Sequence, residues 1–131
     1  ALIDAGVKIT ALRDATRGGV SAVLNEWAKQ SNICIEVEEE NIPVSDEVKG
    51  ICEMLGFEAT NLANEGTFVL AIKKEDVAKA IEILHKFSEA SNACIIGKVT
   101  AQYPQKVILN SSWGTKRFLD TPTGELLPRI C

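Results

Sequence analysis

Apolar positions along this chain follow two periods, one helical and one strand-like, and the switches between them mark the elements. Residues 1–7 read as the end of a helix, and Ile9 to Arg13 as a short strand. From Gly18–Gly19 to about Gln30, Val20, Val23, Leu24, Trp27 and Ala28 recur at i, i+3, i+4, i+7 and i+8, which predicts one buried helical face. Ile33 to Glu38 alternates instead. Ile33, Ile35 and Val37 share one side, and Cys34, Glu36 and Glu38 the other, so a strand with one more polar face is expected. Ser45 is a good helix N-cap, and Asp46 and Glu47 follow where the helix dipole favours negative charge. Val48, Ile51, Cys52 and Leu55 form the expected buried stripe of that helix, and Gly56 its stop.

A polar loop from Phe57 to Gly66 precedes a strongly apolar strand, Thr67 to Lys73. Glu75 to about Glu89 predicts a third helix with Val77, Ala80, Ile81, Leu84 and Phe87 inward. Ala93 to Ala101 and Lys106 to Asn110 read as strands joined through Tyr103–Pro104 in a hairpin-like connection. Thr115 to Leu119 reads as a last strand. The tail from Thr121 carries two prolines and a glycine, shows no period, and is expected to be extended and mobile. Three helices interleaved with five or six strands predict an α/β (α+β) fold, a layered sandwich with a mixed sheet. The late strands follow one another without helices, which excludes a simple parallel, doubly wound sheet.

Composition narrows the function. Of 131 residues, 46% are hydrophobic and 24% charged, enough for one packed core and too apolar for disorder. The net charge is −4 and the basic residues are scattered, which argues against a nucleic-acid surface. No apolar run approaches the roughly 18–20 residues of a membrane span, so no membrane partner is expected. The cytoplasm is the expected compartment. The chain opens at Ala1 without Met and in mid-pattern, so a fragment or processed product is expected. Cys34, Cys52, Cys94 and Cys131 form no CxxC pair, and His85 is the only histidine. That is a poor donor set for structural zinc, and no metal ligand is assigned. Cys34, Cys52 and Cys94 lie in apolar patterns and read as small core side chains. His85, on the edge of its helix's apolar face, reads as a partly exposed histidine without a role.

Three segments carry candidate chemistry. Asp14-Ala15-Thr16-Arg17-Gly18-Gly19 lies between a strand and a helix. Two glycines let an anion approach free N–H groups at the helix start, and Arg17 adds a fork for phosphate. The same residues also suit an ordinary strand-to-helix turn. It is neither a Walker A loop nor a GxGxxG fingerprint. In the segment 61–66, Glu65 sits beside Gly66 just before a buried strand. It reads either as an acid projected into a site or as a solvated loop residue. Cys131 ends the chain after Pro128-Arg129-Ile130. The carboxylate on the same residue disfavours its thiolate, so the residue suits a swinging carrier activated by the pocket it enters. The plain alternative is a chance terminal cysteine or a fragment boundary.

The DATRGG segment after a strand resembles the DPTRGG-type motif of the aminoimidazole ribonucleotide (AIR) synthetase superfamily, whose members are two-domain and ATP-using. Ala63-Asn64-Glu65-Gly66 and the terminal Pro128-Arg129-Ile130-Cys131 narrow the resemblance to its hydrogenase maturation branch, the HypE family. The resemblance covers the whole chain, as a C-terminal domain over residues 1–120 followed by a tail, 121–131. Ala15 departs from the family's usual proline. The family's N-terminal domain, which carries acidic metal and ATP ligands and most of a homodimer interface, is absent. The resemblance implies ATP and Mg as cofactors, with Asp14, Thr16, Arg17, Gly18 and Gly19 at the phosphates. It implies that a carbamoyltransferase, HypF, loads Cys131. ATP-dependent dehydration, with Glu65 as base or proton relay, then gives a thiocyanate. The cyanide passes to iron on a HypC–HypD complex for a [NiFe]-hydrogenase. The fragment alone is expected to be inactive. Two rival readings stay open: another ATP-using member acting on a small molecule, and a non-catalytic carrier or docking module.

Overall fold

The computed structural model describes residues 2–15, 18–56, 58–61, 67–111 and 113–120. Residues 2–7 form a turn closed by Gly6, whose φ of 83° lies in the left-handed region. The Gly6 N–H bonds Ile3 O and the Val7 N–H bonds Leu2 O, the paired bonds that finish a helix. Strand β1 (Ile9–Asp14) leads to helix α1 (Gly19–Ser31) and strand β2 (Cys34–Glu38). Helix α2 (Asp46–Leu55) starts at Ser45, whose Oγ accepts from Val48 N at 3.3 Å, and stops at Gly56 with φ 73°. Strand β3 (Phe68–Ile72), helix α3 (Val77–Leu84) and strands β4 (Gly97–Thr100), β5 (Val107–Asn110) and β6 (Lys116–Phe118) complete the order.

The strands form two sheets. β1 and β3 pair antiparallel as a two-stranded ribbon, and a four-stranded sheet runs β4-β2-β5-β6. In the latter β2 and β5 are parallel and the other pairs antiparallel, so the expected mixed sheet is present. The expected hairpin between β4 and β5 is not. β2 lies between them, and the connection crosses its end, where Gln105 N donates to Ile33 O at 2.8 Å and Ile35 N to Lys106 O at 3.1 Å. A short link makes neighbours easy but does not enforce them. Here β2 uses one late strand on each of its edges, which puts its apolar residues at the centre of the sheet.

One face of that sheet presents Ile35, Val37, Val107 and Leu109. With Leu119 and Val69 they pack on Val23, Leu24 and Ala28 of α1. On the opposite face Glu36 accepts from Asn110 Nδ2 at 2.8 Å and lies 3.4 Å from Lys116 Nζ. The Asn110 bond is the largest influence holding the Glu36 carboxyl below its usual range; Lys116 and Lys98 add to it. Tyr103 meets Phe118 edge to face at 5.7 Å.

Three packing expectations need correction. On α2 only Cys52 is buried, while Val48, Ile51 and Leu55 are exposed, because the helix packs chiefly on the turn Ala59–Asn61 and its outer stripe meets no opposing apolar surface among the described residues. α3 is shorter than expected and Phe87 is exposed. The chain tightens after Ile83, where Lys86 N bonds Ile83 O and Phe87 N bonds Leu84 O, a turn that turns Phe87 away from the stripe. Exposed His85 contacts Ala93 O through Nε2 at 2.7 Å, which ties the helix end to the following segment. Cys34 and Cys52 are buried as expected, but Cys94 is exposed. β4 begins only at Gly97, so Cys94 sits outside the sheet. Its thiol donates to Asn41 O at 2.9 Å, and desolvation pushes its pKa up.

Candidate functional site

The register of the ribbon joins the beginning of the first candidate segment to the residues that follow the second. Asp14, the last residue of β1, stands opposite Phe68, the first of β3. One residue further, Ala15 N donates to Thr67 O at 3.0 Å. The beginning of the Asp14–Gly19 turn is thereby fastened to the residue that follows Gly66. Ala15 is fully buried. A proline there could not make this bond, so the alanine exchanges ring rigidity for a donor that ties the two segments together.

Gly18 and Gly19 then take φ of 69° and 62° in succession. Two left-handed residues in a row would strain almost any side chain, which explains why both are glycine. They open α1 with no side-chain cap and no acidic residue in its first turn. The first N–H groups of a helix have no partner within it, and the helix dipole favours an anion there. Asp14 is exposed at the strand end. Arg13 is drawn sideways onto α1, with its guanidinium 2.9 Å from Glu26. A 3-10 turn, Ala59–Asn61, packs against α1 with Thr60 buried, so the segment leading to Glu65 starts on the flank of the same helix.

The residues that precede the third segment are also held at α1. Leu119 is buried in the core, and its N–H bonds Val107 O. The carbonyls of the last two described residues are held by side chains of α1: Asn25 Nδ2 donates to Leu119 O at 2.8 Å, and Ser21 Oγ to Asp120 O at 2.9 Å. Sequence reasoning passed over Ser21 and Asn25. Their only signal was spacing, two polar residues four apart and hence on one helical face, next to the apolar stripe.

Of the residues proposed from sequence, Asp14 ends β1, and Gly18 and Gly19 open α1. Thr16, Arg17, Glu65 and Cys131, with the whole of the 121–131 tail, lie outside the described residues. Among the described residues no group of three His, Cys, Asp or Glu side chains could hold a metal ion, and no helix is long and apolar enough to cross a membrane. An open groove of about 500 Å³ lies elsewhere, between α2 and the β5–β6 turn. It is lined by Lys49, Cys52, Glu53, Trp113 and Arg117 among others, and none of Asp14, Gly18 or Gly19 borders it.

Residues 1–110 match the model of the AIR synthase related protein family, C-terminal domain. A hydrogenase expression/formation protein of Methanocaldococcus jannaschii is 43% identical over 130 residues, 99% of this chain and 38% of its own length. The carbamoyl dehydratase HypE of Escherichia coli is 44% identical over 126 residues, 96% of this chain and 36% of its own. The chain thus spans little more than a third of the curated relatives it matches. Among solved structures, the hydrogenase maturation protein HypE in complex with ATP superposes with a TM-score of 0.86 at 34% identity, over 94% of this chain and 38% of that one. HypE from a HypE–HypF complex does so with 0.82 at 40% identity, over 87% of this chain and 37% of that one.

Proposed function

Because the chain belongs to the AIR synthase related family, as its C-terminal domain, and matches part of the HypE proteins, we propose that it is the carrier part of an ATP-dependent carbamoyl dehydratase. Residues 1–120 form the catalytic wall, and 121–131 carry the thiol of Cys131. A carbamoyltransferase of the HypF kind loads that thiol, and the rest of the longer protein supplies most of the ATP and Mg ligands, a homodimer interface and full activity. The chain alone is inactive. The product cyanide passes to iron on a HypC–HypD complex, in the cytoplasm. The observation that carries this reading is convergence: Ala15, at the beginning of the candidate turn, is bonded to Thr67, the residue after Gly66, Gly18–Gly19 open α1, and the last residues before the tail are bonded to side chains of α1.

The chemistry follows from what such residues can do. The carbamoyl oxygen is a poor leaving group, and ATP as co-substrate converts it to a phosphate ester that leaves easily. As the C–O bond breaks, two N–H protons depart and the carbon–nitrogen bond becomes triple, so the thiocarbamate is converted to thiocyanate with loss of phosphate. Two left-handed glycines and an uncapped helix start suit the transferred phosphate, whose charge the backbone N–H groups and Arg17 stabilise, with Asp14 and Thr16 completing the turn. Glu65 takes a proton from nitrogen. In the full-length protein, Glu65→Gln leaves loading of Cys131 intact and slows dehydration by about 10²–10⁴-fold, the usual worth of a general base. Cys131→Ala abolishes both steps. Mass spectrometry separates the loaded adduct from the thiocyanate, which is lighter by one water. Conversion at the wild-type rate in Glu65→Gln moves the base elsewhere.

A further inference from the structure

Two polar side chains in the best-buried part of the molecule have no part in the chemistry above. Ser21 is fully buried and Asn25 is 5% exposed, both on α1. Among the described residues, neither bonds to another side chain. Each donates to main chain of the segment that precedes the tail: Ser21 Oγ to Asp120 O, and Asn25 Nδ2 to Leu119 O, with a second Asn25 bond to its own helix at Ser21 O. The buried hydroxyl and amide thus serve carbonyls 94 to 99 residues away in sequence, at the point where the core ends.

Their position on α1 matters as much as their partners. Ser21 is the third residue of a helix that opens at Gly19. With a rise of about 1.5 Å per residue, its Cα is only about 3 Å along the axis from the helix start, and that of Asn25 about 9 Å. A clasp at the end of the chain could have used any turn of this helix or any strand. It uses the two turns that begin at the proposed phosphate site. The eleven residues after Asp120 span at most about 36–40 Å when extended, at about 3.3–3.6 Å each. A tail rooted here is long enough to reach outward to a partner, and its root stays beside the turn to which its load must return.

We propose that Ser21 and Asn25 are positioning residues that fix the root of the tail beside the Gly18–Gly19 turn, and so favour dehydration of the thiol's load within the same molecule. This rests on the function proposed above. Tether arithmetic sets the scale. Effective concentration falls roughly as the −3/2 power of length, so freeing two residues from an eleven-residue tether costs only about 1.3-fold, and inserting four costs about 1.6-fold. A larger effect therefore reports position rather than length.

The test uses the full-length protein and follows each step on Cys131 by mass spectrometry, with ATP affinity measured alongside. Ser21→Ala removes one atom and installs the best helix former, so the helix is retained. Asn25→Leu removes both amide bonds at nearly constant size. A third variant carries four Gly-Ser residues inserted after Asp120, with both clasps intact. The expected result is that Ser21→Ala and Asn25→Leu slow conversion to thiocyanate by about fivefold or more. Loading by the carbamoyltransferase and ATP affinity stay within about twofold, and the insertion costs about twofold or less. A merely structural role lowers both steps in parallel with the folded fraction, and that result overturns the proposal. So does conversion in both variants within about twofold of wild type. A wild-type protein that is loaded but never dehydrated overturns the function itself, and the clasp with it.

Discussion

Leu109 and Leu12 are both strand leucines, yet one is 1% exposed and the other 53%. Leu109 lies in the four-stranded sheet, under α1, within a core closed by the chain's own residues. Leu12 lies on the two-stranded ribbon, where Phe68 is also left exposed at 45%. The outer stripe of α2 repeats the pattern at Ile51, Met54 and Leu55. The difference teaches that an amphipathic period states which face would be stabilised by burial, and nothing about what covers it. Burial follows only where a second element of the chain supplies an opposing apolar surface, as α1 does for β2 and β5. The candidate site draws on both regions: its turn begins at the end of the open ribbon, while its helix and the residues before the tail belong to the closed core.

The sharpest test of that contrast is a matched pair of truncations followed by denaturant unfolding. Leu109→Ala is expected to cost about 2–5 kcal/mol, through lost burial and the cavity left behind. Leu12→Ala is expected to stay within about 0.5 kcal/mol, the range of ordinary surface changes. Equal costs would mean that the ribbon is covered in solution.

A second pair compares two glycines. A Cβ on Gly97 would collide with Glu36 O and lie 2.9 Å from Val37 Cα. Both are backbone atoms of β2 and cannot swing aside, so Gly97→Ala should cost about 1–3 kcal/mol as the β4 pairing is forced apart. Gly50 in α2 has nothing within 4 Å of the same position, and Gly50→Ala should stabilise by about 0.5–1 kcal/mol through helix propensity alone. A destabilised Gly50→Ala would show that α2 is packed more closely than its exposed stripe indicates.

The smallest effect concerns the polar face of the closed sheet. The Asn110 bond, with Lys116 and Lys98, lowers the Glu36 pKa in the folded protein. A depressed carboxylate contributes stability above its unfolded pKa and loses it as pH falls through the folded value. Glu36→Gln should therefore be less stable than wild type near neutral pH, and the gap should narrow on acidification below the ordinary carboxylate range. Thermal unfolding at a series of pH values measures this. A gap that stays constant with pH would assign the difference to packing instead.

Much of the fold was legible because the signals are local. Ser45 caps α2 through its hydroxyl, and Gly56 ends it because glycine accepts a positive φ. The 3.6-residue period of α1 selects Val23, Leu24 and Ala28 for the core. The candidate turn was legible for the same reason: only glycine accepts two successive left-handed residues at a helix start. Strand neighbours were not legible. A link through Tyr103–Pro104 suggested a hairpin, but the sheet inserts β2 between the two strands, since pairing is decided by which edges are free when they meet. Cys94 was misplaced because apolar neighbours in sequence do not say where a strand begins.

By itself, then, the sequence determined where α1 and α2 start and stop, which stripe of α1 is apolar, and which glycines open α1. These depend on backbone freedom, side-chain shape and spacing over a few residues. Tertiary structure alone decided that Ala15 meets Thr67, that β2 takes partners on both edges, and that Ser21 and Asn25 hold the carbonyls of Asp120 and Leu119. Those bonds join residues far apart in the chain. A main-chain carbonyl is the same at every position, so no residue type marks the one that a buried serine or asparagine will find.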